Sequence, residues 1–259
     1  MAEKKERTII SADSGAAKKE TAAKPAAAKK EAKTTTETGK TVKQAKESSG
    51  SATGNRVGAV ILWLLAIACE VFGILMLFGK VNITFVSTLV AIIGVLVIDL
   101  IFVIIGSLLW KKSNLIDPAS EKNKLKFFLW NNMGVIVCIV AFFPYLILLL
   151  SNKNLDKKTK TIASVVAVIA ILIGSLFSFD WNPVSAEQKA AAESVITDDV
   201  YWTMFGKCYH TNEDCGSLNN SDTLYKGTVT KAIEENRTRL CSFCARNDAK
   251  LAELATDAD

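Results

Sequence analysis

His210, Cys215, Cys241 and Cys244 are the residues of this chain best equipped for chemistry. His210 is the only histidine in 259 residues. Four of the six cysteines, from Cys208 to Cys244, fall within 37 residues around it. Thiolate and imidazole are the ligands that tetrahedral zinc prefers, and a C-x2-C turn presents two sulfurs to one ion. The spacing His210-x4-Cys215-x25-Cys241-x2-Cys244 therefore predicts a structural zinc site. Cys208 is a fifth candidate. It precedes His210 by two residues, so a strand would point both to one face. An all-cysteine set with Cys208 in and His210 out is the alternative; His210 is preferred and Cys208 is the reserve ligand. The plainer readings are free structural cysteines or two disulfides, and a cytoplasmic tail disfavours the disulfides.

These ligands need elements to position them. Bulky and polar residues alternate from Val200 to His210 around Gly206, which predicts a small hairpin. Thr228 to Asn236 has helical character, with Thr230 as its expected cap. The module 199–246 is too short for a self-sufficient core, so a metal staple suits it.

The same residues carry a resemblance. Tyr201, Thr203, Gly206, Lys207, Tyr209, His210, Cys215, Gly227, Thr228, Cys241 and Cys244 follow the pattern Y-x-T-x-x-G-K-x-Y-H-x4-C, Gly-Thr, helix, C-x2-C of a short bacterial module. It resembles the metal-binding domain of the Ada DNA-repair methyltransferase family, in which four cysteines hold zinc. The resemblance implies a zinc-stapled α+β fold. In that family the first cysteine of a C-x3-C pair accepts a methyl group. Here His210 stands at that position and the gap is one residue longer, so the repair chemistry does not carry over. The segments Asn152 to Lys160 and Asp180 to Pro183 also resemble bacterial multi-span membrane proteins that bear this tail, a likeness that brings no known activity.

Upstream of the module lie four apolar segments: 57–79, 84–110, 127–150 and 161–179. A bilayer crossing takes about 20 apolar residues, so all four qualify as spans. The fold class expected is a mainly α membrane protein. It has a disordered arm (1–55), a four-helix transmembrane domain (56–180), a linker (181–198), the module (199–246) and an acidic tail (247–259). Trp63, Trp110, Trp130, Tyr145 and Trp181 are read as interfacial rings. Pro144 should kink the third segment or turn it into a re-entrant hairpin. Small residues four apart, Ala163/Ala167 and Ala170/Gly174, suggest a close helix contact within the bundle or between copies.

Charge is segregated along the chain. Residues 1–56 hold 13 Lys/Arg against 7 Asp/Glu, residues 57–179 hold 10 against 5, and residues 180–259 hold 8 against 14. The arm has too few large apolar residues to fold by itself. Lysines near the spans favour a cell-membrane protein with both termini cytoplasmic. The four lysines of the third loop, Lys153, Lys157, Lys158 and Lys160, then lie on the opposite side. The net negative charge of residues 180–259 disfavours nucleic acid as a partner.

Glu70 and Asp99 are the only ionisable residues deep in the spans, where charge is costly. Counted from the loop, they come out at different depths, which argues against a shared pair. Three functions follow. The chain is best read as an integral membrane protein that presents a structural-zinc module for binding or regulation. Its partners are the lipid bilayer, a protein or peptide at the module, and a second copy in a homo-oligomer. The alternative is a small transporter or proton/cation-coupled carrier using Glu70 and Asp99. An enzyme, either zinc-dependent or using Cys208 as nucleophile, ranks last, because a closed four-ligand zinc keeps no water and no second histidine can serve as base.

Overall fold

Apolar run length decides most of the architecture. The structure, a computed structural model, describes residues 51–81 and 84–246. It also gives the backbone of three short strands in the arm: β1 (Thr8–Ser11), β2 (Thr34–Thr35) and β3 (Thr41–Val42). The expectations for the rest of the arm and for the tail 247–259 lie outside the described residues. Two units emerge, one spanning 50–186 and one taking 187–259 with the arm strands.

The first unit is helical: α1 (Ala52–Leu77), α2 (Thr88–Ile116), α3 (Lys124–Asn131), α4 (Met133–Ser151) and α5 (Lys157–Ser178). Helices α1, α2, α4 and α5 are long and apolar enough to cross a membrane. The shortest, α4, has 19 residues, about 29 Å at 1.5 Å per residue. Each buries one narrow stripe. In α1 it runs Ala59, Trp63, Ala66, Glu70, Gly73, Leu77. In α2 it runs Ile92, Leu96, Asp99, Val103, Gly106, Trp110. Alternating steps of three and four are the seam of left-handed bundle packing. The outer faces are apolar too: Val57, Ile61, Leu64, Ile98, Ile101 and Ile105 are exposed. Polar residues such as Ser107, Asn114 and Ser178 are buried instead. Polar inside and apolar outside is the arrangement that lipid solvent demands.

The third segment departs from the sequence reading. It is two helices, divided at Asn131 and Asn132. The Asn131 and Asn132 side-chain amides donate to the carbonyls of Phe127 and Phe128, each at 3.0 Å, four residues back. Such side chains compete with the helix's own amides. Asn114 Nδ2 adds a bond to Asn131 Oδ1 at 3.2 Å. Helix α4 then continues through Pro144 to Ser151, so no re-entrant hairpin forms there.

Small residues set the helix spacing in α5. Ala163, Ala167, Ala170 and Gly174 are all buried, and a Cβ on Gly174 would lie 2.7 Å from Cys138 Sγ in α4. The contact they predicted is thus made within one bundle. Trp63, Trp110 and Trp130 pack in a row as tilted pairs with centroids 5.3 and 5.0 Å apart, and Arg56 covers Trp130 at 5.5 Å. Tyr145 does not stand at an interface. It is 1% exposed, in the bundle core.

The second unit opens with α6 (Ala186–Val195) and continues as β4 (Val200–Trp202), β5 (Cys208–Tyr209), a 3-10 turn (Gly216–Leu218), β6 (Thr223–Gly227), α7 (Val229–Glu234), β7 (Arg239–Leu240) and α8 (Ser242–Ala245). Strand β6 lies between β4, antiparallel, and β1, parallel, with Thr8 opposite Thr223. Strands β5 and β7 pair in parallel. The core is Val200, Trp202, Tyr209, Leu218, Leu224, Ile233 and Leu240. Helix α7 starts earlier than expected. Its cap is Thr228, whose hydroxyl accepts from the Lys231 amide at 3.2 Å, and Thr230 bonds Glu193 in α6 instead. It ends in a Schellman turn. Asn236 has φ 68°, and the amides of Asn236 and Arg237 donate to Ile233 and Ala232.

Candidate metal centre

Two half-sites converge because β5 and β7 lie side by side. The Cys241 amide donates to the Tyr209 carbonyl at 2.9 Å, just beyond that pairing. His210 follows β5 and is held to Tyr201 by two backbone bonds of 2.7 and 2.8 Å. Cys215 precedes the 3-10 turn, and its carbonyl accepts from the Leu218 amide at 2.8 Å. An Asx turn shapes that approach, with Asn212 Oδ1 accepting from the Asp214 amide. Cys241 caps α8, and Cys244 sits within it, three residues on. One short helical turn thus aims both sulfurs at one point.

The ligand atoms of His210, Cys215, Cys241 and Cys244 all lie within 4.8 Å of one another, and all four residues are buried. Nδ1 of His210 faces Cys244 Sγ at 3.9 Å. A tetrahedral zinc with Zn–S bonds of about 2.3 Å would hold its sulfurs about 3.8 Å apart. All six cysteines are free thiols, so no disulfide uses these donors. The cluster can hold a metal ion, and its donor chemistry fits zinc. Cys208 is half-buried on β5 and stands outside the cluster.

Burial drives the protonation of the set. It lowers the His210 pKa to about 4, which keeps the imidazole neutral and free to coordinate at neutral pH. It raises Cys215 to about 11, helped by the neighbouring Cys244 and Cys241 thiols. Burial also works against the Cys241 thiolate. There the amides of Phe243 and Cys244, with the Ser217 hydroxyl, outweigh it and the pKa falls. Ser217 Oγ lies 3.7 Å from Cys241 Sγ. This second-sphere contact was missed in the sequence reading, and its only signal is a serine two residues after Cys215. A dication among these groups would favour thiolate throughout.

The intramembrane residues lie in the other unit. Glu70 and Asp99 sit on the buried stripes of α1 and α2, within electrostatic reach of each other. Depths counted from the loop had set them apart. No protein-family model, curated protein or solved structure matches the chain.

Proposed function

We propose that the chain is a multi-pass membrane protein whose C-terminal module is stapled by one structural zinc and presents a binding surface to a protein or peptide. The observation that carries this reading is the buried, convergent set His210, Cys215, Cys241 and Cys244. Four protein ligands close a tetrahedral ion and leave no position for a reacting water, which favours a structural over a catalytic role. The termini are proposed to be cytoplasmic, where thiols persist. The surface on offer includes Met204, Phe205 and Phe243, which are 58%, 91% and 57% exposed. Arg237 pins the Met204–Phe205 turn by donating to the Thr203 and Met204 carbonyls, so these side chains are displayed on a fixed backbone.

The test is the zinc content of the full chain, purified in detergent under reducing conditions and weighed by native mass spectrometry. One zinc per chain is expected, lost in Cys241→Ser and weakened in His210→Ala, and kept in Cys208→Ser. A metal-free chain, or zinc that depends on Cys208 and not on His210, would overturn the assignment.

A further inference from the structure

The bundle holds a second constellation, independent of the metal centre and beyond the function proposed above. Glu70 of α1, Asp99 of α2 and Tyr145 of α4 are 8%, 2% and 1% exposed. They meet because α1 thins at Gly73, one turn past Glu70. A Cβ there would lie 2.9 Å from Tyr145 Cε2, so the glycine lets the ring lie against α1. The Glu70 carboxyl reaches the main chain at Tyr145, and Asp99 lies within electrostatic reach of Glu70. Three helices thus bring two carboxyls and a phenol together.

Two of these polar atoms are unsatisfied. Asp99 Oδ1 and the Tyr145 hydroxyl are buried and have no hydrogen-bond partner. In a hydrocarbon environment an unpaired carboxylate oxygen is costly. The other groups within reach of Asp99 are Cys69 on α1 and Cys138 on α4. Cys138 in turn accepts from Ser175 Oγ of α5 at 3.9 Å. None of these is a cation. The basic residues of the spans, Arg56, Lys111, Lys112, Lys157, Lys158 and Lys160, lie toward the helix ends. Among the described residues the carboxyls have no positive partner, so the compensating charge is taken to come from outside. Carboxylate and phenol oxygens are hard donors, suited to a proton or an alkali ion and not to a soft metal.

We propose that Glu70, Asp99 and Tyr145 form an intramembrane site for an exchangeable monovalent cation, a proton or a sodium-sized ion held on the same oxygens. The site fills when the cation neutralises Asp99, and the Tyr145 hydroxyl turns to complete its shell.

The full chain with its zinc is placed in phosphatidylcholine nanodiscs. Thermal unfolding is followed in sodium, potassium and choline chloride at one ionic strength. The infrared carboxyl band is titrated with pH on the same sample and taken as the difference from Asp99→Asn, which cancels the surface acids common to both. If sodium is the ligand, tenfold saturation raises Tm by about 3 °C or more over choline. The rise disappears in Asp99→Asn and shrinks in Tyr145→Phe, which removes only the hydroxyl. If the proton is the ligand, a carboxyl band comes and goes reversibly with pH while the fold is kept, and Asp99→Asn removes it. Should Asp99→Asn fail to fold, the wild-type salt comparison and Tyr145→Phe still decide. Equal Tm in all three salts, with a carboxyl band that never changes over the folded pH range, would overturn the proposal. It would make the pair permanently protonated structural groups.

Discussion

The proposal of a zinc-stapled module is tested most sharply at a single sulfur, that of Cys241. Cys241 joins the two half-sites by its backbone amide, which donates to the Tyr209 carbonyl, and its sulfur lies within the four-residue cluster. Structural zinc contributes about 10–16 kcal/mol to small stapled folds, so losing one ligand should unfold this one. Cys241→Ser is expected to open residues 199–246 to limited proteolysis while the apolar helices stay resistant. Cys208→Ser should leave the digestion pattern unchanged. Acid should act in the same direction. His210 has a folded pKa of about 4, depressed by burial from an ordinary value near 6.5. Between those values the unfolded chain holds a proton that the folded one refuses, so this contribution is present above about pH 6.5 and fades as the pH falls toward 4. Melting of the module, followed by fluorescence of the buried Trp202, should therefore drop over that window. A flat profile from neutral to acid would mean that His210 is exposed. At Asn236 the left-handed backbone, φ 68°, tolerates asparagine or glycine. Asn236→Ala should cost about 1 kcal/mol in a denaturant titration, and Asn236→Gly should cost little.

At the scale of elements, the bundle depends on close approach. A Cβ on Gly106 would lie 2.6 Å from Trp63 Nε1 and 3.2 Å from the Ala59 carbonyl oxygen. The second neighbour is backbone and cannot turn away. Gly106→Ala should push α1 from α2 and destabilise the bundle by about 1–3 kcal/mol, read as a lower Tm in detergent. Four helices long and apolar enough to span were legible because run length and composition say so directly. The division at Asn131 and Asn132 was not, since two asparagines amid apolar residues do not announce that their amides will cap the preceding turn. The α7 start was misplaced by two residues because Thr228 and Thr230 are equal as sequence signals, and Glu193 claims the second. Glu70 and Asp99 looked unlevel when counted from a loop at 80–83. The Gly106–Trp63 contact sets the register of the antiparallel α1–α2 pair, and seven residues away along each helix, on the same buried stripes, stand Asp99 and Glu70.

For the whole molecule, the two units divide the chemistry. One buries carboxyls among apolar helices, and the other gathers thiols and imidazole under a small sheet. The convergence of His210 with three cysteines could be anticipated, because those residue types are rare here and a C-x2-C turn has few uses. The pairing of β1 with β6 could not, since Thr8–Ser11 is four residues in a polar arm. Topology remains a prediction that the lysine counts support. Cysteines placed singly in the arm and in the tail of a cysteine-depleted bundle should both resist an impermeant maleimide in right-side-out vesicles. Labelling of the tail alone would place the module outside. The most direct check of the central claim is X-ray absorption at the zinc edge of the full chain. Three sulfurs at about 2.3 Å and one nitrogen at about 2.0–2.1 Å are expected. A shell of four sulfurs, or of nitrogen and oxygen alone, would contradict it.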